Sequence, residues 1–226
     1  MTALPTSLRL QLDPDRGGRT GIPEIVYAPG KTIEQVCAAF QALLDGGVEP
    51  VIAARCSPEQ VGALRAAVPD VTVTGGLVVA HPMPGGARCV AVVTAGTADQ
   101  HVADEAVATL EAFGITVRQI DDVGVAGVHR LLARVDDLRS VDALVVIAGM
   151  EGALPTAVAG LVDTPLVAVP TSTGYGSAFE GITALAAMTA SCAPGVSVVG
   201  IDNGLGAACT VVRWLRPRPP QEGRDA

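Results

Sequence analysis

From residue 88 onward, short runs of Val, Ala and Ile, each of strand length, alternate with segments of helical period. This alternation constrains the fold more than any other feature. Runs that are apolar on both faces read as buried strands, and buried strands separated by helices join in parallel through crossovers. The runs are residues 88–95, 115–121, 142–148, 165–170 and 196–201. Four helices are predicted between them, the last before residue 196 spanning 177–191, and a fifth follows. Right-handed crossovers then give an α/β domain with a doubly wound parallel sheet.

A smaller α/β unit is predicted ahead of it. It contains EIVYA, a helix TIEQVCAAFQALL with Thr32 as N-cap, PVIAAR, the helical SPEQVGALRAA and VTVTGGLVVA. HPMPGG at 81–86 holds two prolines and two glycines and is read as the hinge. The expected organisation is therefore a segment 1–19, the small unit with its linker at 20–86, the larger domain at 87–216, and a polar, Pro-rich, disordered tail at 217–226.

Composition narrows the function classes. The 226 residues carry a net charge of −8, and Lys31 is the only lysine. There is no basic stripe, so no nucleic-acid partner is expected. No run of about 20 residues is uninterruptedly apolar, and the start has no basic segment followed by a long apolar core, so no membrane span or export signal is expected and the placement is cytoplasmic. The five cysteines are odd in number and show no CxxC pairing, which argues against a disulfide framework or a zinc site.

In open α/β sheets, ligands bind beyond the carboxyl ends of the strands. The five loops there are TAGTAD, DVGVAGVHR, AGMEGALP, PTSTGYGS and IDNGLGA. Glycine lets backbone amides approach an anion closely, so such loops can cradle phosphate without lysine, although each taken singly also reads as plain turn chemistry. The candidate nucleotide contacts are Gly96, Thr97, Asp99, Gly127, Arg130, Gly149, Met150, Gly152, Thr171, Ser172, Gly174, Asp202 and Asn203. Asp99 either caps its helix or binds a substrate hydroxyl, and Asp202 and Asn203 do the same or form an Asx turn. Glu151, just before a helix, is placed for proton transfer or for capping. His129 is a general acid, a substrate contact or part of a polar helix face.

Cys192 sits at the far end of the 177–191 helix, near the amino edge of the sheet. A strand of about five residues at 3.3 Å each separates it by roughly 17 Å from the loop edge. The negative end of a helix disfavours a thiolate, and free cysteine is usually a buried hydrophobe, so space filling is its default reading. If it serves the same site as Glu151, a neighbouring subunit must supply it.

AGTAD, GVHR and IAGMEGALPTAVAGLVDTPLVAVP resemble the blocks of the PurE fold of phosphoribosyl-aminoimidazole carboxylases and mutases. Two departures stand out: Gly-Val precedes the histidine where that family has Ser-Ala, and MEGALP replaces a Gly-Gly-Ala-Ala-His-Leu segment. DVGVAGVHRLLA, VPTSTGYG, SCAPGV and IDNGLGA, with RTGIPEIVYAPGKTIEQV and AARCSPEQV earlier, resemble the LarB family of pyridinium-3,5-biscarboxylic acid mononucleotide synthases over about residues 15–212. The resemblance implies a PurE/flavodoxin-like three-layer αβα domain. It implies carboxylation of nicotinic acid adenine dinucleotide at ring carbon C5 with CO2 or bicarbonate, and release of AMP, at the start of nickel-pincer nucleotide synthesis. Cys192 is then the nucleophile and Glu151 the base, with Mg2+ assisting anhydride cleavage and a homo-oligomer, an octamer, sharing its sites between subunits. Lys31, Arg19 and Arg55 either reach the dinucleotide or are solvated surface. The alternatives are an aminoimidazole ribonucleotide carboxylase or mutase and a non-catalytic nucleotide-binding module.

Overall fold

The computed structural model describes Leu8 and residues 10–216; the tail expected at 217–226 lies outside the described residues. After a short helix α1 (Arg16–Thr20), the first sheet contains β1 (Ile25–Tyr27), β2 (Val51–Ala54), β3 (Thr72–Thr74) and β4 (Leu77–Ala80), in the order β1-β2-β4-β3. β1 and β2 are parallel, whereas β4 runs antiparallel to both β2 and β3. The run VTVTGGLVVA therefore folds back on itself at Gly75 and Gly76. Gly75 has φ +55°, and a Cβ on Gly76 would lie 2.9 Å from the Cys56 carbonyl oxygen, so glycine suits the turn on both counts.

Helices α2 (Ile33–Asp45) and α3 (Pro58–Ala67) begin with reciprocal caps. Thr32 Oγ1 accepts from Gln35 N at 3.2 Å while Gln35 Oε1 accepts from Thr32 N at 3.0 Å. Ser57 and Gln60 repeat the arrangement at 3.3 and 2.8 Å. Each cap satisfies two backbone donors that a bare helix start leaves open. The helices bury Val36, Phe40, Leu43 and Leu64 against the first sheet.

The second sheet has five parallel strands, β5 (Cys89–Thr94), β6 (Thr116–Ile120), β7 (Ala143–Ala148), β8 (Leu166–Pro170) and β9 (Val196–Val198), in the order β6-β5-β7-β8-β9. The helices are α4 (Gln100–Ala112), α5 (Val128–Leu132), α6 (Val135–Arg139), α7 (Ala153–Ala159), α8 (Ile182–Thr189) and α9 (Gly204–Leu215). Alternate strand residues point to opposite layers. Val90, Val92, Val145 and Ile147 pack on α4 and α9, whereas Ala91, Val93, Leu144 and Val146 pack on the layer built from α5 to α8. This is the doubly wound, three-layer arrangement that the sequence predicts.

Two helices differ from expectation. The predicted helix 177–191 is interrupted: residues Gly176–Gly181 form a 3-10 turn in which Phe179 and Glu180 have φ of 45° and 52°, and α8 starts only at Ile182. A Cβ on Gly181 would lie 2.7 Å from the Thr171 carbonyl oxygen, so the chain passes tightly under the end of β8 before it can wind into a helix. The crossover from β6 to β7 holds two short helices in place of one. Arg134 takes a non-helical conformation between them, and its Nε donates to Asp137 Oδ2 at 2.6 Å.

The two sheets are joined by packing and by an ion pair. Ile52, Ala54, Leu77 and Val79 of the first unit meet Ala108, Ala112, Phe113 and Leu205 of the second. The 81–86 segment is bonded to the end of α4, with Met83 N donating to Ala112 O and Gly86 N to Gly114 O, both at 2.8 Å. Among the described residues no helix is long and apolar enough to cross a membrane.

Candidate active site

The strand order reverses between β5 and β7, where successive crossovers leave toward opposite layers, and this is where an open α/β sheet presents a crevice. A cleft of about 350 Å³ occupies that position, walled by the loops after β5, β6, β7 and β8. Its shape depends on close backbone approaches. Gly124 N donates to Ala95 O at 2.9 Å, bringing the β6 loop across the end of β5, and a Cβ there would stand 2.6 Å from that oxygen. Met150 N donates to Thr173 O at 2.8 Å, and a Cβ on Gly149 would stand 2.4 Å from the same oxygen. Larger side chains at these two positions would force the loops apart.

Beneath the cleft a buried latch joins two loops. Asp99 is 2% exposed and Thr171 fully buried. Thr171 Oγ1 donates to Asp99 Oδ1 at 2.7 Å, and Gly96 N donates to Asp99 Oδ2 at 3.1 Å. Asp99 thus fastens its own loop to the end of β8, and makes no side-chain capping bond to α4. Asp202 continues the chain of contacts, since its Oδ1 accepts from Ser172 N at 2.8 Å. Asn203 caps α9 by accepting from Gly206 N at 2.8 Å.

Gly96, Thr97, Asp99, Gly149, Met150 and Glu151 all line the cleft. Asp122, Gly124 and Thr173, not singled out from the sequence, line it too. Three carboxylates reach the cleft and differ in their commitments. Asp99 is bonded inward, Asp122 is ion-paired with Arg130, and exposed Glu151 makes no hydrogen bond or ion pair among the described residues. That leaves Glu151 available for proton transfer. His129 is exposed on α5 and does not line the cleft, and Gly127 lies under the Arg130 guanidinium. Thr171 and Ser172 do not line the cleft: Thr171 is buried behind Asp99 and Ser172 is exposed, while Gly152 and Gly174 shape nearby turns, pressed on Ala184 and Ala178.

Cys192 is the one exposed cysteine of the five; Cys56 is buried and the others are partly buried. The space-filling reading is therefore corrected: α8 ends at Thr189 with Ala190 as its C-cap, and Cys192 follows in an exposed bend. Ser191 Oγ lies 2.8 Å from Thr156 Oγ1, which ties this turn to the first turn of α7, the helix that starts directly after the Glu151 loop. The sulfur itself does not line the cleft. Burial holds Cys56 and Cys209 at a pKa of about 11, and raises Cys37 as well.

The first unit also reaches the site's support. Arg55, with φ +58°, donates through Nε to Glu105 Oε1 at 3.2 Å and through its guanidinium to the Asp202 carbonyl. Glu105 Oε2 in turn accepts from Leu205 N at 3.0 Å. A path of contacts therefore runs from Arg55 through Asp202 to Ser172, next to the Thr171–Asp99 latch. Arg19 is held by Asp13 at 2.9 and 2.6 Å, and Lys31 Nζ donates to Tyr27 O at 2.6 Å. Among the described residues no group of three His, Cys, Asp or Glu side chains could hold a metal ion.

This fold and cleft define an α/β protein of the AIR carboxylase class, and the model of that domain matches residues 89–221. A LarB/PurE-like N-terminal domain matches residues 7–76. The chain belongs to the LarB family, in which that N-terminal domain precedes a PurE-like, carboxylase-type domain. An uncharacterized protein of Methanocaldococcus jannaschii is 38% identical over 213 residues, covering 88% of this chain and 81% of the relative. The N5-carboxyaminoimidazole ribonucleotide mutase of the same organism is 32% identical over 131 residues, covering 56% of this chain and 78% of its own. A crystal structure of a Treponema denticola PurE2 variant aligns with a TM-score of 0.46 at 19% identity, over 57% of this chain and 82% of that one.

Proposed function

We propose that the protein carboxylates the pyridinium ring of nicotinic acid adenine dinucleotide at C5 and cleaves its phosphoanhydride, giving pyridinium-3,5-biscarboxylic acid mononucleotide and AMP in the cytoplasm. The observation that carries this reading is the exposure of Cys192 in a carboxylase-type domain whose other two cysteines, Cys89 and Cys209, are partly buried. A pyridinium ring is electron-poor and does not attack CO2 unaided. Addition of the Cys192 thiolate at C4 gives a neutral dihydropyridine, whose C5 is the nucleophilic carbon of an enamine. C5 bonds to CO2, the ring nitrogen becomes an iminium, and Glu151 takes the C5 proton. The restored enamine then expels the thiolate from C4 and the ring is aromatic again. A pyridinium beside the sulfur supplies the cationic field that favours a thiolate.

Since Cys192 and Glu151 do not line one cleft within a single chain, the proposal has them meet across subunits of a homo-oligomer, an octamer as in the resemblance. Exposed Val128, Leu132, Tyr175, Phe179 and Ile182 supply apolar surface for such contacts. The described residues offer no ready metal cage, and no step is routed through Mg2+; such an ion is held chiefly by substrate phosphates in sites of this kind.

Mass spectrometry of the products from labelled bicarbonate and nicotinic acid adenine dinucleotide tests the reading. Wild type is expected to yield the labelled dicarboxylated mononucleotide and AMP, and Cys192→Ser neither. Retained activity in Cys192→Ser overturns it. The mutase relative favours a second reading, carboxylation chemistry on aminoimidazole ribonucleotide. That reaction needs no thiol, so turnover of this substrate by both wild type and Cys192→Ser would establish it instead.

A further inference from the structure

A second cleft, about 820 Å³ in volume, opens between α1 and the second half of α9. Its walls carry the guanidinium groups of Arg16, Arg19 and Arg213, the indole of Trp214 and the hydroxyls of Thr20 and Thr210, and no carboxylate lines it. In a chain of net charge −8 such a lining is unusual.

The three arginines are not equivalent. Arg19 is already neutralised by its two bonds to Asp13. Arg16 and Arg213 make no side-chain hydrogen bond or ion pair among the described residues, and the only other described arginine or lysine in that state is Arg65, on α3. Two of the three uncommitted guanidinium groups thus face one cleft. Like charges brought together repel, and the Asp13 carboxylate, bonded to Arg19 and close enough to Arg16 to be felt, offsets only part of this; an anionic ligand supplies the rest.

The rest of the lining narrows the class of anion. The volume suits a small organic ligand more than a bare ion. Guanidinium forks match phosphate oxygens bidentately. Trp214 is 43% exposed and presents a π surface on which a base can stack. Thr20 Oγ1 and Thr210 Oγ1 spend their protons on backbone carbonyls; Thr20 also accepts from Ile22 N at 3.4 Å, which leaves it one lone pair, and Thr210 keeps both, to accept from sugar hydroxyls. We propose that this cleft binds a nucleoside 5′-monophosphate, with the base on Trp214 and the phosphate between Arg16 and Arg213. The site is separate from the Glu151 cleft within one chain: α9 starts at Gly204 beside the carboxyl edge and rises about 15 Å before Trp214, its eleventh residue, is reached.

Trp214 is the only tryptophan, so intrinsic indole fluorescence reports on any binding that alters the surroundings of this cleft. The full chain is titrated with AMP, with adenosine and with inorganic phosphate. AMP is expected to change the emission saturably, and each of the other two only at much higher concentration. Arg16→Gln and Arg213→Gln are expected to raise the half-saturating AMP concentration about tenfold each, the loss of one charge-assisted contact, while Arg65→Gln leaves it unchanged. Circular dichroism confirms that the variants are folded, and calorimetry on Trp214→Phe, where a smaller ring remains, is expected to show weakened binding. No saturable response to AMP at millimolar concentration overturns the proposal, as does an unchanged titration in both arginine variants. Equal affinity for adenosine removes the phosphate contact, and equal affinity for inorganic phosphate removes the base contact; either result overturns the assignment. Loss of the response in Glu151→Gln would place the nucleotide in the other cleft and also overturn it. Because this readout needs no turnover, its failure is distinct from failure of the carboxylation reading.

Discussion

Removing the Asp99 carboxylate should loosen the floor of the candidate site by a calculable amount. Two bonds end on it, from Thr171 Oγ1 at 2.7 Å and from Gly96 N at 3.1 Å, in a place that is 2% exposed. Hydrogen bonds to a charged group contribute about 1.5–3 kcal/mol each, so the gross loss in Asp99→Ala is roughly 3–6 kcal/mol on that basis. Against this, the variant no longer has to desolvate a carboxylate, which returns several kcal/mol. The net expectation is a destabilisation of about 2–3 kcal/mol, of the size that follows when buried donors lose their acceptor. Asp99→Asn keeps an acceptor for Thr171 but turns an amide toward Gly96 N, and should cost about 1–2 kcal/mol on the same scale. Guanidinium unfolding at fixed protein concentration measures these values, and an unchanged slope would confirm that only the native state is affected. A double-mutant cycle with Thr171→Val isolates the pair, with an expected coupling of about 1.5–3 kcal/mol. If the two single effects simply add to within about 0.5 kcal/mol, the latch contributes nothing and the reasoning fails.

Three further outcomes are expected. Arg55→Met should free the Asp202 carbonyl and Glu105, raising KM for the proposed dinucleotide substrate several-fold with a smaller change in kcat, and Arg55→Lys should restore part of it; equal loss in both variants would point to a merely structural role. Asp142 accepts from Cys89 N at 2.8 Å and from Arg88, and both hold its carboxyl below the usual value. Because the folded-state value is depressed, its stabilising contribution is present above the unfolded value of about 3.9 and lost as pH falls through the lower folded value; Asp142→Asn should flatten that acid limb of a stability profile. Under native conditions near pH 8, one thiol per chain should react rapidly with a disulfide reagent and vanish in Cys192→Ser, while Cys56 and Cys209, at about 11, stay silent; rapid labelling of a second cysteine would contradict the burial.

The parallel sheet was legible because its central strands β5, β7 and β8 are apolar on both faces, a pattern that a half-exposed antiparallel sheet would not produce, whereas edge strand β6 carries Arg118 and Gln119. The helix start at Thr32 was equally legible from its capping residue, and the structure adds the same reciprocal cap at Ser57, which was not singled out from the sequence. What sequence did not reveal depended on distant contacts. Phe179 and Glu180 read as part of a helix, yet the passage of Gly181 under Thr171 bends the chain into a left-handed kink. Cys192 looked like a buried filler because that is the usual fate of cysteine, and only the end of α8 at Thr189 reveals its exposure. Within the cleft the glycine loops were visible, but Asp122 and Thr173 were not, having no local signature beyond turn chemistry. Arg55 and Asp202 are 147 residues apart, so nothing in either neighbourhood announced their contact.

The grip of Arg55 on the Asp202 backbone bears on how such a chain can be rearranged. Its first sheet is no interchangeable cassette: excising it would strand Glu105 and an orphaned carbonyl at the edge of the second. A transplant onto another PurE-like body would have to carry an acid at the Glu105 position and, since Asp202 has φ +55°, a residue that tolerates the left-handed region there. The two halves are a matched set, and recombination between relatives should succeed only where both landing points travel with the arginine.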